Sequence, residues 1–129
     1  MSAPIVYLVD DDPAVLRSLG RLLQAEGHEV EAYASAEAFL AAWAGQPGVL
    51  VLDIVLGGMS GPELVEHLSA VGRSLPTILV SAHAAELSQG DRDAVLAVLE
   101  KPVRSEDLID NVERALSLAG SVDPDAVSG

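Results

Sequence analysis

The chain has no cysteine and a single lysine, Lys101. Without disulfides, its 129 residues must hold together through a hydrophobic core, which a chain of this length can bury. The absence of cysteine leaves the redox compartment open. Basic residues are scarce altogether, 7 against 20 acidic, and the resulting net charge of −13 repels phosphate backbones and anionic lipid. Direct nucleic-acid binding is thereby excluded as an expectation. No apolar run approaches the roughly 18 residues of a membrane span. The opening Met-Ser-Ala-Pro lacks the basic segment and apolar stretch of a secretory signal, so the expected location is the cytoplasm. Half of the residues are hydrophobic, which argues against disorder. We expect one domain over residues 1–120, followed by a flexible tail over 121–129.

Short apolar runs alternate with stretches of helical periodicity, the pattern of a parallel sheet covered by helices on both faces. The spacing predicts strands at 4–9, 29–33, 49–53, 77–81 and 95–100. Asp12 and Pro13 open a first helix whose Val15, Leu16, Leu19, Leu22 and Leu23 form one stripe before Gly27. Ser35 caps a second helix running through Trp43, which reads as a helix-end packing residue. Pro62 opens a third, with Leu64, Val65, Leu68 and Val71 spaced for burial. Ser105, Glu106 and Asp107 give an acidic first turn to a last helix with Leu108, Val112, Ala115 and Leu116 facing inward. Between them, His83–Asp93 holds little apolar material and Gly90, so a fourth helix there is expected to be short or frayed.

Three apolar runs end in charge. Ile5–Val9 stops at Asp10-Asp11-Asp12, Val49–Leu52 at Asp53, and Val95–Leu99 shortly before Lys101. If these are parallel strands, their carboxyl ends share the edge at which open α/β sheets bind ligands. Helix capping needs one aspartate, not three. Carboxylates crowded at such an edge repel unless a cation neutralises them, and magnesium takes oxygen ligands with few carboxylates. Asp53 precedes a loop rather than a helix, so its oxygen is available to attack a phosphoryl group. Lys101 and the hydroxyl of Ser81, at the end of Thr77–Val80, then supply donors to the phosphoryl oxygens. His28, His67 and His83 read as turn or solvated residues, and Gly57-Gly58 falls far short of a phosphate-binding fingerprint.

Together, Val-Asp10-Asp11-Asp12-Pro, Val-Leu-Asp53 followed by Gly-Met-Ser-Gly61, Leu-Val-Ser81-Ala82 and Glu-Lys101-Pro102 closely resemble the receiver domain of bacterial two-component response regulators, over residues 4 to about 118. The resemblance implies a flavodoxin-like, doubly wound α/β fold with a five-stranded parallel sheet in order 2-1-3-4-5 and five helices. It implies a phosphoacceptor Asp53, served by a sensor histidine kinase or a histidine phosphotransfer protein. Asp11, Asp53 and the backbone carbonyl of Val55 would hold Mg2+, with Asp10 acting through water. Ser81 and Lys101 would contact the phosphoryl oxygens, and the Lys101–Pro102 bond would be cis. Catalysis would be limited to the chain's own phosphorylation and dephosphorylation.

The chain departs from the family pattern in three places. Gly57 stands where the family usually places proline, leaving the loop after Asp53 less restricted. Val98, three residues before the lysine, replaces an aromatic whose rotamer change a β-branched side chain does not reproduce. The stretch from Ser81 to Lys101 is shorter by roughly two residues, all from the weak fourth helix. These departures predict that phosphorylation survives while dimerisation across the fourth and fifth helices is altered or lost, leaving a monomer or weak dimer. The leading expectation is a stand-alone receiver that binds an unknown downstream protein or relays phosphate, with a piece cut from a longer regulator as the alternative origin. A docking-only pseudo-receiver is one alternative. A haloacid-dehalogenase-like phosphohydrolase, with Asp10 as nucleophile and Asp12 as general acid, is another. It lacks a further acidic pair for magnesium and leaves Asp53 without a role.

Overall fold

The computed structural model describes residues 4–121. Five strands alternate with five helices: β1 (Ile5–Val9), α1 (Pro13–Ala25), β2 (Val30–Tyr33), α2 (Ala36–Ala42), β3 (Gly48–Asp53), α3 (Gly61–Ala70), β4 (Thr77–Ser81), α4 (Gln89–Asp93), β5 (Ala97–Glu100) and α5 (Ser105–Ser121). A 3-10 turn, Ala84–Glu86, precedes α4. The sheet is parallel throughout, in the order β2-β1-β3-β4-β5. This is the flavodoxin-like architecture expected.

Alternation along the strands divides the core in two. Tyr7, Val9, Leu50, Leu52 and Leu79 pack with Ala36 and Phe39 of α2 and Leu64 and Leu68 of α3. Val6, Leu8, Val49, Val51, Ile78 and Val80 pack with Leu23 of α1 and Leu108, Val112 and Ala115 of α5. Burial on both faces is why these strands read as continuous apolar runs instead of alternating ones. Each fully buried leucine stabilises the fold by roughly 1.5–3 kcal/mol. The chain's four aromatics gather at one corner. Phe39 meets Tyr7, Tyr33 and Trp43 with ring centroids 5.3, 5.7 and 5.4 Å apart, and Arg73 lies over the Trp43 ring. Trp43, at the end of α2, also donates its indole N–H to the Gln46 carbonyl at 2.9 Å, so it is the packing residue expected.

Several boundaries shift. Val71 is the C-cap of α3, where the chain leaves helical geometry, and is 53% exposed instead of buried. β5 begins at Ala97 rather than at residue 95, because the Val95 amide still turns back to the Arg92 carbonyl at the end of α4. The fourth helix is one turn of five residues with none buried, preceded by the 3-10 turn, in line with its weak pattern. α5 runs one residue past Gly120, and the rest of the expected tail lies outside the described residues.

Candidate functional site

The register of the parallel strands sets the site. β1 and β3 pair from Ile5 with Gly48 to Val9 with Leu52, so Asp10 emerges beside Asp53. β4 pairs Ser81 with Glu100 of β5, which brings Lys101 to the same edge. Asp10 is 6% exposed, Asp53 9% and Ser81 1%, whereas Asp11 is exposed. Such burial of carboxylates requires partners. Nζ of Lys101 donates to Oδ2 of Asp10 at 3.0 Å and to Oδ2 of Asp53 at 3.1 Å.

The three consecutive aspartates have three roles. Asp12 is the N-cap of α1, accepting the Ala14 N–H at 2.9 Å, with Pro13 at the first helical position. Asp10 turns inward, its Oδ1 accepting the Asp12 N–H at 2.9 Å. Asp11 projects between them, and one oxygen from each of Asp10, Asp11 and Asp53 lies within 4.8 Å of the others. Asp53 is oriented in turn by the Val55 N–H, which donates to Oδ1 at 3.2 Å. Val55 itself lies in the loop two residues beyond Asp53, its side chain 53% exposed. The oxygen of Ser81 accepts the His83 N–H at 3.0 Å, and a hydroxyl that accepts still has its own proton to donate.

Burial pushes the Asp10 carboxyl above its ordinary range, although the Asp12 N–H and the Lys101 ammonium pull the other way. Burial also works against the Lys101 ammonium, but hydrogen bonds to Asp10 and Asp53 and their charges outweigh it and raise its pKa. The site therefore holds Lys101 charged and holds Asp10 under desolvation stress. An all-oxygen donor set with surplus negative charge fits a hard divalent cation.

The chain matches the family model described as the response regulator receiver domain over residues 6–113. The chain belongs to this family. It is 35% identical over 119 residues to the response regulator protein TmoT of Ectopseudomonas mendocina, covering 89% of this chain and 54% of that protein. The response regulator StyR superposes with a TM-score of 0.88 at 36% identity, over 93% of this chain and 62% of that one. FixJ-N superposes with a TM-score of 0.81 at 32% identity, over 91% of this chain and 96% of that one. The receiver domain thus spans about half the length of the curated relatives it matches. Receiver domains of two-component response regulators are, in general, phosphorylated on an aspartate by a kinase.

In this receiver domain the expected residues Asp10, Asp11, Asp53, Ser81 and Lys101 all reach one edge of the sheet, and the Lys101–Pro102 bond is cis. His67 is exposed on α3, as expected. His83 is exposed and pairs with Glu86 at 3.2 Å. His28 is less solvated than a turn residue suggests, with Nε2 3.7 Å from Glu113 of α5. One contact had no sequence signal. Oε2 of Glu37 accepts the Met59 N–H at 2.9 Å, joining α2 to the loop after Asp53 across 22 residues.

Proposed function

We propose that this receiver domain accepts a phosphoryl group on Asp53 from a sensor histidine kinase or a histidine phosphotransfer protein. Asp11, Asp53 and the Val55 carbonyl would hold Mg2+, with Asp10 acting through water. The observation that carries the reading is the position of Lys101, whose ammonium reaches Asp53 beside two further carboxylates. A carboxylate oxygen of Asp53 attacks phosphorus, an O–P bond forms, and the bond to the donor breaks with its electron pair leaving on the donor. Lys101 follows the developing charge onto the phosphoryl oxygens, and Ser81 turns its O–H toward another of them. Magnesium, when bound, offsets charge on the equatorial oxygens. The Asp12 N–H and Lys101 hold the two oxygens of Asp10, and the Asp12 side chain supplies the helix cap.

The chain's catalysis is confined to gaining and losing this group. Its output is binding of a downstream protein or relay of phosphate, in the cytoplasm. Beside Lys101 a groove of about 570 Å³, lined by Ala14, Val15, Leu19, Pro102 and Val103 among others, gives a phosphodonor protein an apolar surface next to the acceptor. Val98 of β5 pairs with Leu79 and packs partly buried against the core, and α4 is a single turn, which supports loss of the usual face of the fourth and fifth helices. The domain is then a monomer or weak dimer. Incubation with Mg2+ and acetyl phosphate, followed by intact and peptide mass spectrometry, tests the assignment. Label on Asp53 that disappears in Asp53→Asn supports it. Label on Asp10 with sustained phosphate release would favour a hydrolase, and neither label nor magnesium affinity would favour a docking-only module.

A further inference from the structure

We infer that Glu37 is a positioning residue for phosphoryl transfer, a role that rests on Asp53 being the phosphoacceptor. Glu37 lies in the first turn of α2, where an acid is ordinarily explained by the helix dipole. Its carboxylate is engaged elsewhere. Oε2 accepts the Met59 N–H at 2.9 Å, and a Cβ placed on Gly58 would stand 2.9 Å from that same oxygen and 3.3 Å from Oε1. Gly58 has φ of +134°, a conformation that side-chain-bearing residues rarely adopt, so a side chain there would be strained and would push the Glu37 carboxylate aside.

The loop needs such a tie. It leaves Asp53, passes Val55, and is fixed at Leu56, which is 8% exposed, and again at Ser60. There Ser60 and Glu63 form a reciprocal capping box at the start of α3. Between these points Gly57 and Gly58 have no side chains to anchor, and a Cβ at Gly57 would meet nothing. Met59 packs partly against the core and the Gly58 N–H turns back to the Leu56 carbonyl, and Glu37 adds the hydrogen bond that ties this stretch to another element. Holding the middle of the loop restricts the Val55 carbonyl and the Asp53 carboxylate, and a misplacement of about 1 Å at reacting groups slows reactions markedly.

Three single variants of the full chain separate this role from helix stabilisation. Glu37→Ala removes the acceptor, Glu37→Gln keeps an oxygen for Met59 but no charge, and Ser35→Ala removes the α2 cap, whose hydroxyl accepts the Ala38 N–H at 3.0 Å. Amide exchange at Met59, read by NMR without magnesium, should accelerate about tenfold in Glu37→Ala, and acetyl phosphate labelling at subsaturating Mg2+ should slow roughly three- to tenfold. Glu37→Gln should restore both to within about twofold. Ser35→Ala should lower the unfolding midpoint and leave both readouts unchanged. If Glu37→Gln behaves as Glu37→Ala, or Ser35→Ala slows labelling equally, helix electrostatics or stability accounts for Glu37 and the inference is overturned. Equal labelling in all the proteins overturns it as well while leaving the phosphoacceptor reading intact. A wild-type chain that takes no label overturns that reading and the role of Glu37 with it.

Discussion

The ammonium of Lys101 lies 3.1 Å from the Asp53 carboxylate, across 48 residues of chain and from the end of a strand that does not adjoin β3. The same nitrogen is 3.0 Å from Asp10. Three carboxylates and one ammonium leave a formal charge of −2, the complement of one divalent cation.

Lys101→Met should therefore destabilise the magnesium-free protein by roughly 1–3 kcal/mol, less than for a fully buried pair because a quarter of the side chain meets water. Its raised pKa means that this stability is present below the ordinary lysine value of 10.5 and is lost as pH climbs through the folded value. Urea unfolding at neutral pH, with and without Mg2+, should show the cation recovering part of the loss. A deficit indifferent to magnesium would count against the charge argument.

Asp11 and Asp12 should separate cleanly on substitution. Magnesium at a hundredfold its Kd should add about 2.7 kcal/mol to wild-type stability, and Asp11→Asn should abolish most of that gain. Asp12→Ala should retain it and leave labelling largely intact while costing about 0.5–2 kcal/mol through the lost cap. Thermal melts across a magnesium series would decide, and similar behaviour of the two variants would refute the assignment.

Gly61→Ala should damage the site and the fold together. A Cβ there would collide with the Asp53 carbonyl oxygen, which lies against the first turn of α3. We expect a loss of roughly 1–3 kcal/mol, with slower labelling because the backbone of the acceptor must shift. A variant as stable and as readily labelled as wild type would show that the close approach is unimportant.

Neither tyrosine should titrate near pH 10 in the native protein. The hydrogen bond that Tyr33 donates to Glu31 at 2.6 Å, and then burial, push its phenol up to about 12, while burial first and Glu31 second raise Tyr7. The corresponding stability is present below pH 10 and is lost between there and about 12. Absorbance at 295 nm would test this, with Glu31→Gln shifting the Tyr33 component downward. A native transition at pH 10 would be the contrary result.

Occupancy of the acceptor should not produce a tight dimer through α4, β5 and α5. α4 has five residues and none is buried, so it offers that face little structure. Sedimentation of the phosphorylated chain should give a monomer or weak dimer, and a phosphorylation-dependent dimer mapped to that face would defeat the expectation.

Much of this was legible because the physics involved is local. Strands buried on both faces must be apolar throughout, so Ile5–Val9 and Val49–Leu52 announced themselves, and the charge that follows each marked the strand ends. Asp12 before Pro13 could be read as a cap because capping spans only a few residues. Val71 was misplaced because periodicity carries no notice of where a helix stops, and Val95 because the last turn of α4 still claims its amide. Glu37 gave no signal at all. An acid in a first turn suffices for the helix dipole, and its bond to Met59 joins segments that only packing brings together.

By itself, then, the sequence determined the alternating α/β fold, the cap at Asp12 and the acidic, basic and hydroxyl residues that follow the strands, because propensity, patterning and side-chain chemistry act over short range. The tertiary structure alone decided which carboxylates Lys101 joins, that Asp10 is raised by burial while Asp11 stays exposed, and that Glu37 holds the loop beyond Asp53. Those are distances and burial between segments far apart in the chain, and only the register of the open sheet and the packing of helices and loops on it set them.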